Sequence, residues 1–124
     1  MNCLFCELKT KEKNIIYQDK LVYCIYDNFP VGKGHILVIT KRHISDYFKA
    51  TQAEITAIDK ALRHCKELLD KNYQPTGYNI GVNNGVSAGQ TIMHLHVHLI
   101  PRYDNDCKNP HGGVRGVIPE KQAY

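Results

Sequence analysis

The chain has 124 residues, 43% of them hydrophobic and 23% charged, which is the composition of an ordinary single-domain globular protein. The formal net charge of +4 comes from dispersed lysines and arginines, which weakly favours an anionic ligand and is poor support for nucleic-acid binding. The longest apolar stretches are strand-sized, which excludes a bilayer-spanning segment. We expect one domain over residues 1–124, with a core over 1–104 and a C-terminal tail over 105–124.

The N-terminal segment "MNCLFCELKTKEK" has no apolar signal region, so we expect a cytoplasmic protein with reduced cysteines. The odd number of cysteines, five, also argues against a disulfide framework. "CLFC" predicts a Cys-x₂-Cys hairpin, the usual first half of a tetrahedral zinc site, although one such pair alone is a weak signal. Of the remaining cysteines, we expect Cys24 and Cys65 in the core and Cys107 at the surface.

Two strands are predicted next along the chain. Residues 21–27 and 35–40, "LVYCIYD" and "HILVIT", are rich in β-branched and aromatic residues. The segment "NFPVGKG" between them is typical of a turn or loop, so the two strands should pair antiparallel. The following "RHISDYFKA" predicts a short helical turn.

The one strong helix signal covers residues 51–72. Thr51 and Glu54 fit a capping box, and Asn72 and Pro75 end the helical pattern. Apolar residues recur on one face at helical spacing: Ile55, Ile58, Leu62, Cys65 and Leu69.

The last third of the chain begins with "GYNIGV" (77–82), which predicts another strand. The glycine-containing loop "NNGVSAG" (83–89) then leads into "TIMHLHVHLIPR" (91–102), and the glycine-rich "NPHGGVRG" beyond it predicts irregular chain. Together these elements predict an α+β fold: an antiparallel sheet of about five strands with one long helix packed on a face and a short helix.

Three histidines alternate with three apolar residues in "HLHVHL" (94–99). The period of a strand places His94, His96 and His98 on one face and the apolar residues on the other, toward a core. The Cα atoms of positions two and four apart on a strand are ~7 and ~13 Å apart. Two neighbouring imidazoles can share a zinc ion, whose bonds to nitrogen are ~2.0–2.1 Å long, but all three cannot easily converge on one ion. A solvated polar face explains one or two histidines better than three, so the alternation favours a catalytic site.

The loop before this strand offers neutral hydrogen-bond donors that suit phosphate oxygens: Asn83, Ser87, Gln90, Thr91 and backbone N–H groups. A histidine nitrogen can attack phosphorus when the other ring nitrogen is held by an acceptor. A central nucleophile, His96, with a helper on each side accounts for the triplet. It predicts a covalent phosphoryl- or nucleotidyl-histidine intermediate.

These motifs resemble the histidine triad (HIT) family. "HLHVHLI" fits the family's alternating motif, and "GQT" before it, "PR" after it and the upstream "GHILVI" are similar to that family too. "GQT" and "PR" look like the branch that hydrolyses diadenosine polyphosphates, whereas "CLFC" looks like the small phosphoramidase-type members and their bacterial homologues. The resemblance covers nearly the whole chain and implies a HIT-like fold.

The resemblance implies catalytic roles for four histidines. His96 matches the nucleophile that takes the nucleotidyl group, and His98 matches the residue that hydrogen-bonds a phosphate oxygen. His94 matches the first triad histidine, which orients the site or, in zinc-containing members, binds the metal. His35 matches a supporting histidine beside the triad, and the alternative for it is a satisfied histidine at a strand end.

The resemblance also implies substrate contacts. Asp27 falls where the family holds the ribose hydroxyls, with a turn residue before Asn28 as the alternative. Positions that contact the phosphates or the leaving group are matched by Asn83, Gln90 and Thr91. Walls of a nucleobase pocket are provided by Ile25 and Phe5, for which ordinary core packing is an equal alternative.

A structural zinc site is implied by the same likeness. Members with this N-terminus complete the site with a histidine from a "KRHI"-like segment and with the first triad histidine. The corresponding ligands are Cys3, Cys6, His43 and His94. Reduced buried cysteines are the alternative. With four protein ligands such a zinc would leave no open position for water, which makes zinc-dependent hydrolysis the least favoured reaction.

We therefore expect a hydrolase that cleaves at the α-phosphate of a purine nucleotide, either a diadenosine polyphosphate or a nucleoside phosphoramidate. The chemistry requires no cofactor, although a magnesium-bound polyphosphate substrate is compatible with it. The rival is a nucleotide-binding or scaffold protein with incidental hydrolysis. The resemblance further implies a homodimer, with no nucleic acid or membrane as partner. The tail either is mobile or brings Arg115 to a phosphate in the partner's site.

Overall fold

The computed structural model describes residues 2–124. Over that range the helices are α1 (Leu4–Leu8) and α2 (Gln52–Asn72), and the strands are β1 (Ile15–Gln18), β2 (Val22–Tyr26), β3 (Ile36–Thr40), β4 (Gly77–Gly81) and β5 (His96–Arg102). Short 3-10 turns lie at Glu12–Asn14, Tyr47–Lys49, Val86–Ala88, Gly113–Val117 and Pro119–Lys121. No helix in the described range is both long enough and apolar enough to cross a bilayer.

The five strands form one antiparallel sheet in the order β1-β2-β3-β5-β4. In the centre, Leu37 of β3 lies opposite His98 of β5, and Ile39 lies opposite His96. This confirms the α+β prediction. The position of β1 was not predicted, because "IIYQ" is a short edge strand of half-buried residues with a register irregularity and no clear alternation.

Helix α2 begins at the predicted capping box. The Thr51 hydroxyl accepts a hydrogen bond from the Glu54 N–H (3.1 Å), and the Thr51 N–H donates to the Glu54 carboxylate (2.9 Å). The helix ends at Asn72, as predicted. Its apolar face packs on one face of the sheet, where the core includes the following residues: Ile58, Ala61, Cys65, Leu69, Cys24, Leu95, Val97 and Leu99.

The other face of the sheet carries a second apolar cluster and the histidines. Tyr23 and Leu37 lie in this cluster, and Phe5 of α1 covers them. The Tyr23 hydroxyl donates a hydrogen bond to the Phe5 carbonyl, which holds α1 on the sheet. The predicted hairpin at "CLFC" is wrong: Cys3 is the N-cap of α1 and Cys6 lies within it. A helical turn also places positions i and i+3 on one side, so both thiols face the same way.

The tail packs beside β4. Its glycine-rich segment was predicted to be irregular, but Gly113–Val117 forms a 3-10 helix that contacts β4. Gly112 precedes it with φ of 88°, a left-handed conformation that suits glycine. The tail therefore contributes side chains to the surface next to the histidine strand.

Candidate active site

His94 does not lie in the histidine strand as predicted, because β5 begins at His96. The N–H of Leu95 donates to the carbonyl of Ile44 rather than to a strand neighbour, so the chain enters the sheet only after Leu95. The rings of His94 and His96 still lie on the same face, because both contact the ring of Phe5. The Phe5 centroid is 6.0 Å from the His94 centroid and 4.9 Å from the His96 centroid. The His96 and His98 centroids are 5.2 Å apart.

The tautomer of His96 is set by the backbone. Its Nδ1 lies 2.8 Å from the carbonyl oxygen of His94, which can only accept, so Nδ1 carries the proton. In the neutral ring Nε2 is then an unprotonated nitrogen with a free lone pair. The ring is 9% exposed and lines a cavity in front of the sheet. His96 thus presents a nucleophilic nitrogen to a cavity.

The tautomer of His98 is set by a relay of hydrogen bonds. The Val31 N–H donates to Nδ1 of His35 (3.1 Å), so neutral His35 carries its proton on Nε2. That nitrogen lies 2.9 Å from Nδ1 of His98 and donates to it, which places the His98 proton on Nε2. Burial lowers the pKa of His98 to about 4, with the neighbouring His96 and His35 as smaller causes, and burial also lowers the pKa of His35. His98 is therefore a neutral N–H donor near pH 7.

Asp27 is the predicted turn residue and also faces His35. One carboxylate oxygen accepts the Phe29 N–H (2.8 Å), which makes it a turn residue, and the other lies 3.6 Å from Nε2 of His35. The side chain also lines the cavity in front of His96. His35 is buried in the relay, so it supports His98 from behind.

The cavity in front of His96, which we call the slot, has a volume of about 280 Å³. Phe5 and Ile25 line it. Both also pack in the second apolar cluster. Asn83 and Thr91 also line it. Eight further lining residues were not predicted: Leu4, Leu8, Tyr26, Asn28, Phe29, Leu37, Gly89 and Ile92. The helical spacing of Leu4 and Leu8 is a signal only once α1 is known to be a helix.

Gln90 does not line the slot. It is buried, and its amide oxygen accepts the Gly85 N–H (2.8 Å) while its amide nitrogen donates to the carbonyls of Ser45 (3.0 Å) and Ile92 (3.2 Å). All of these contacts are to backbone groups. The structure therefore places Gln90 as a brace of the loop that carries Asn83 and Thr91.

Cys3, Cys6, His43 and His94 form a compact cluster beneath the slot. Their ligand atoms all lie within 4.8 Å of one another. Nε2 of His94 lies 2.7 Å from the Thr40 carbonyl and donates to it, so its Nδ1 is unprotonated. That lone pair faces the Cys3 sulfur (3.4 Å), the Cys6 sulfur (3.6 Å) and Nδ1 of His43 (3.1 Å).

This cluster fits a tetrahedral metal ion. One lone pair can accept one proton, yet three donor groups converge on the Nδ1 of His94. Tetrahedral zinc with two sulfur and two nitrogen ligands has edges of roughly 3.3–3.8 Å, close to the 3.1–3.6 Å separations found among these atoms. The carbonyl of Thr40 supplies the outer hydrogen bond that usually orients a ligating histidine.

Asp27, His35 and His98 also bring three potential ligand atoms within 4.8 Å of one another. A metal on Nε2 of His35 would move the proton of the neutral ring to Nδ1, where the Val31 N–H already donates. The two N–H groups would then oppose each other. This group therefore fits a hydrogen-bond relay and not a metal site.

A second cavity of about 500 Å³ adjoins the slot. The two share Asp27, Phe29, Asn83 and His98, whereas His96 lines only the slot. The remaining lining residues of the second cavity come from the loop before β3, from β4 and β5, and from the tail. Arg115 lines neither cavity. Its guanidinium lies 4.6 Å from the Tyr124 ring centroid.

Comparisons with known proteins agree with this geometry. Residues 9–105 match the family model described as the HIT domain. A HIT-like protein of Methanocaldococcus jannaschii is 37% identical over 106 residues, which is 84% of this chain and 81% of that protein. An asymmetrical bis(5′-nucleosyl)-tetraphosphatase of Schizosaccharomyces pombe is 35% identical over 74% of this chain and 50% of its own length. An adenylylsulfatase of Arabidopsis thaliana is 32% identical over 86% and 55%, respectively.

Solved structures share the same architecture. A HIT family protein from Bacillus anthracis superposes with a TM-score of 0.78 at 36% identity, covering 85% of this chain and 76% of that one. A zinc-bound histidine triad family protein from Mycobacterium smegmatis has a TM-score of 0.77 at 29% identity, covering 86% and 78%. These neighbours confirm the predicted five-stranded sheet with one long helix.

Proposed function

This chain belongs to the HIT family, whose members are generally nucleotide hydrolases or transferases, and on that basis we propose that it transfers a nucleotidyl group from its substrate to His96 and then to water. The substrate is a purine nucleotide with a P–O–P or P–N bond at its α-phosphate. The named activity of the tetraphosphatase relative supports cleavage of a P–O–P bond. That of the adenylylsulfatase relative supports cleavage at the phosphate of an adenylyl group.

One observation carries this proposal: the free Nε2 atom can accept a hydrogen bond in His96, whereas it donates one in the neighbouring His98. His96 has an unprotonated Nε2, and His98, with its centroid 5.2 Å away, has an N–H on its own Nε2. A phosphoryl group between them would meet a nucleophile and a hydrogen-bond donor at once. Neither neutral ring requires a change of tautomer before the reaction, since the partners of their Nδ1 atoms fix both tautomers.

The reaction proceeds in two steps. Nε2 of His96 forms a bond to the α-phosphorus while the bond to the leaving group breaks and its electron pair stays on the leaving group. The proton stays on Nδ1 of His96, which donates to the His94 carbonyl, and this hydrogen bond stabilises the charge that the ring acquires. Water then attacks phosphorus, loses a proton, and releases a nucleoside monophosphate with His96 restored. His98 donates to a phosphoryl oxygen throughout.

The bound nucleotide would use the residues of the slot in distinct ways. Ile25 and Phe5 pack against the purine, and Asp27 accepts from the ribose hydroxyls. Asn83 and Thr91 donate to the phosphate, and Gln90 keeps their loop in place. His35 acts as a positioning residue through His98.

The cluster of Cys3, Cys6, His43 and His94 would hold a structural zinc ion. The convergence of its donor atoms supports this assignment, as does the zinc-bound relative from Mycobacterium smegmatis. When bound, zinc would tie α1 to the chain segment that carries the nucleophile. We further propose one catalytic domain, a homodimer and a cytoplasmic location. Magnesium would enter only on a polyphosphate substrate.

The test of this function is His96→Ala with an adenosine phosphoramidate and with diadenosine tetraphosphate as substrates. We expect kcat to fall by at least about 10³-fold, because removing a nucleophile removes the covalent route. A substrate labelled at the α-phosphate should leave label on the wild-type chain after rapid quenching in base, and none on the variant. Activity within tenfold of wild type would reject the assignment.

The rival function, nucleotide binding without physiological turnover, makes a different prediction in the same experiment. It predicts tight binding of nucleoside monophosphate by both proteins and no labelled intermediate in either. The lone pair of His96 that faces the slot favours the enzyme.

A further inference from the structure

The five cysteines differ in their access to solvent and in their neighbours. Cys24 and Cys65 lie next to each other, but they are 0% and 1% exposed inside the core between α2 and the sheet. Cys107 is exposed, and among the described residues no second cysteine lines the cavity beside it. Cys3 and Cys6 are the pair that combines a neighbouring thiol with a route to solvent.

That route is a cavity of about 420 Å³ next to the cluster. It is lined by Cys3 and His43, together with residues of the N-terminus and of the chain before β5: Asn2, Leu4, Thr91, Ile92 and Met93. Cys3 is 8% exposed, and Cys6 and His43 are more exposed than that. A molecule as small as hydrogen peroxide therefore reaches the Cys3 sulfur from outside, although most of this side chain is buried.

The two sulfur atoms are also placed to bond to each other. They lie within 4.8 Å of one another, and an S–S bond is ~2.0 Å long. Cys3 is the N-cap of α1, but its side chain makes no capping hydrogen bond, so it can turn toward Cys6 without taking a partner from the helix. An accessible thiol with a second thiol beside it is typical of redox-sensing cysteines.

We propose that Cys3 and Cys6 form a redox-active pair, which a peroxide converts to a disulfide with release of the metal ion and with weaker nucleotide binding in the slot. The inference rests on the zinc site of the proposed function and adds a modification of that site. In proteins kept under reducing conditions, disulfides are usually transient, and this one forms only while the oxidant is present.

The oxidation takes place in two displacements. The Cys3 thiolate attacks a peroxide oxygen, the O–O bond breaks, and Cys3 becomes a sulfenic acid while hydroxide leaves. The Cys6 thiolate then attacks the Cys3 sulfur, the S–S bond forms, and a second hydroxide leaves. Two electrons pass from the sulfurs to the peroxide, and two protons from solvent turn both hydroxides into water. A disulfide has no thiolate to offer a metal, so the cluster keeps only its two imidazoles and loses the ion.

The disulfide also changes what holds α1. In the metal-bound cluster the two thiolates at the start of α1 share an ion with His43 and His94, whereas in the oxidised cluster they bond only to each other. The helix then loses its tie to the segments that carry these histidines. Three residues of the helix line the slot: Leu4, Phe5 and Leu8. A nucleotide therefore binds less tightly after oxidation and, because coupling is reciprocal, a bound nucleotide favours the reduced state.

The experiment treats the full chain, loaded with zinc, with hydrogen peroxide and maps the cysteines after alkylation. Cys3 and Cys6 lie on one tryptic peptide, residues 1–9, because Lys9 is the first basic residue of the chain. We expect this peptide to become lighter by two hydrogen atoms, while Cys24 and Cys65 remain thiols. A chromogenic chelator should detect one zinc ion per disulfide, and a dithiol reductant with added zinc should reverse both changes.

Nucleotide binding is measured on the same samples by calorimetry with adenosine monophosphate. The dissociation constant should rise at least about fivefold on oxidation, the lower end of usual coupling between two sites. An unchanged dissociation constant in a protein that has formed the disulfide overturns the link to the slot.

Cys107→Ser is the matched control, because Cys107 lies outside the cluster, and it should respond to peroxide as the wild type does. Cys6→Ser lacks the second thiol and should give a sulfenic acid on Cys3, trapped by dimedone, with no disulfide in the peptide. Thiols that stay free while zinc stays bound overturn the inference. A peptide that carries sulfinic acids without a disulfide also overturns it, as does earlier oxidation of Cys24 and Cys65.

Failure of the proposed function would look different. A reduced chain that binds no zinc overturns the zinc assignment and, with it, the metal release proposed here. A reduced chain that binds zinc but no adenosine monophosphate overturns nucleotide binding in the slot and leaves the disulfide chemistry intact. Nucleotidyl transfer to His96 is measured from the labelled intermediate and enters none of these measurements.

Discussion

His94 and His98 each lie two residues from His96, yet the structure gives their rings opposite chemistry. His94 donates from Nε2 to the Thr40 carbonyl and presents a lone pair on Nδ1 to two thiols and a second imidazole. His98 accepts at Nδ1 from His35 and presents an N–H on Nε2 to the cavities. One ring is prepared to bind a cation and the other an anion.

The difference comes from the partner of each ring and not from the residue type. A carbonyl can only accept, so it takes the proton of His94 on one nitrogen and frees the other as a ligand. A neutral histidine whose own Nδ1 already accepts can only donate from Nε2, so His35 forces His98 into the donor form. Identical residues at equal spacing therefore suit a metal-type cluster on one side of the proposed nucleophile and phosphate recognition on the other.

Among the variants that distinguish the His94 cluster from the His98 side of the site, His98→Ala should have the largest effect. We expect kcat to fall by about 10²–10³-fold, the usual result of removing one donor to a developing oxyanion. Zinc content per chain, measured by atomic absorption, should stay at the wild-type value. Loss of zinc from this variant would contradict the separation of the two regions.

Cys6→Ser should give the opposite pattern. The cluster would lose one of its two thiolates, so zinc content should fall toward zero and thermal stability should drop. Because the metal would bind only the folded protein, its loss should lower the free energy of unfolding by about 4 kcal/mol when the metal is present at ~1,000 times its dissociation constant. KM should rise because α1 carries Leu4 and Phe5 into the slot, whereas kcat should change little. Cys107→Ser, at an exposed position outside the cluster, is the control.

The pH dependence of stability gives the smallest effect of the three. An unfolded histidine binds a proton near pH 6.5, whereas folded His98 binds one only near pH 4. Between those values the unfolded state holds more protons, so the free energy of unfolding falls as the pH drops from about 6.5 to about 4. The lowered pKa of His35 acts in the same direction.

We expect a loss on the order of 2–3 kcal/mol from His98 across this range, measured by urea unfolding at several pH values. His98→Asn should flatten the dependence by that amount, and the exposed His111→Asn should leave it unchanged. A stability that rises toward pH 4 in the wild type would show that His98 is paired with a negative charge in the folded protein.

Local sequence signals determined much of the fold. Two of these signals depend on residues that are close together in the chain. The capping box and apolar spacing of α2 are found as predicted from Thr51 onward. The alternation in "HLHVHL" is found on β5 from His96 onward. The positions of β1 and α1 were not predictable in the same way. These elements are short, and α1 is held by a hydrogen bond from Tyr23 to Phe5 that no local pattern encodes.

The residue types of the candidate site were also readable from the sequence: a triplet of histidines, a Cys-x₂-Cys pair and a loop of neutral donors. Only the tertiary structure decided what each side chain does, because a tautomer depends on a partner distant in sequence. Thr40 lies 54 residues from His94, and His35 lies 63 residues from His98. In the structure Gln90 braces the loop instead of lining the slot, and the tail lies beside His98. Neither could be predicted, because these hydrogen bonds and cavities form between segments that meet only when the chain folds.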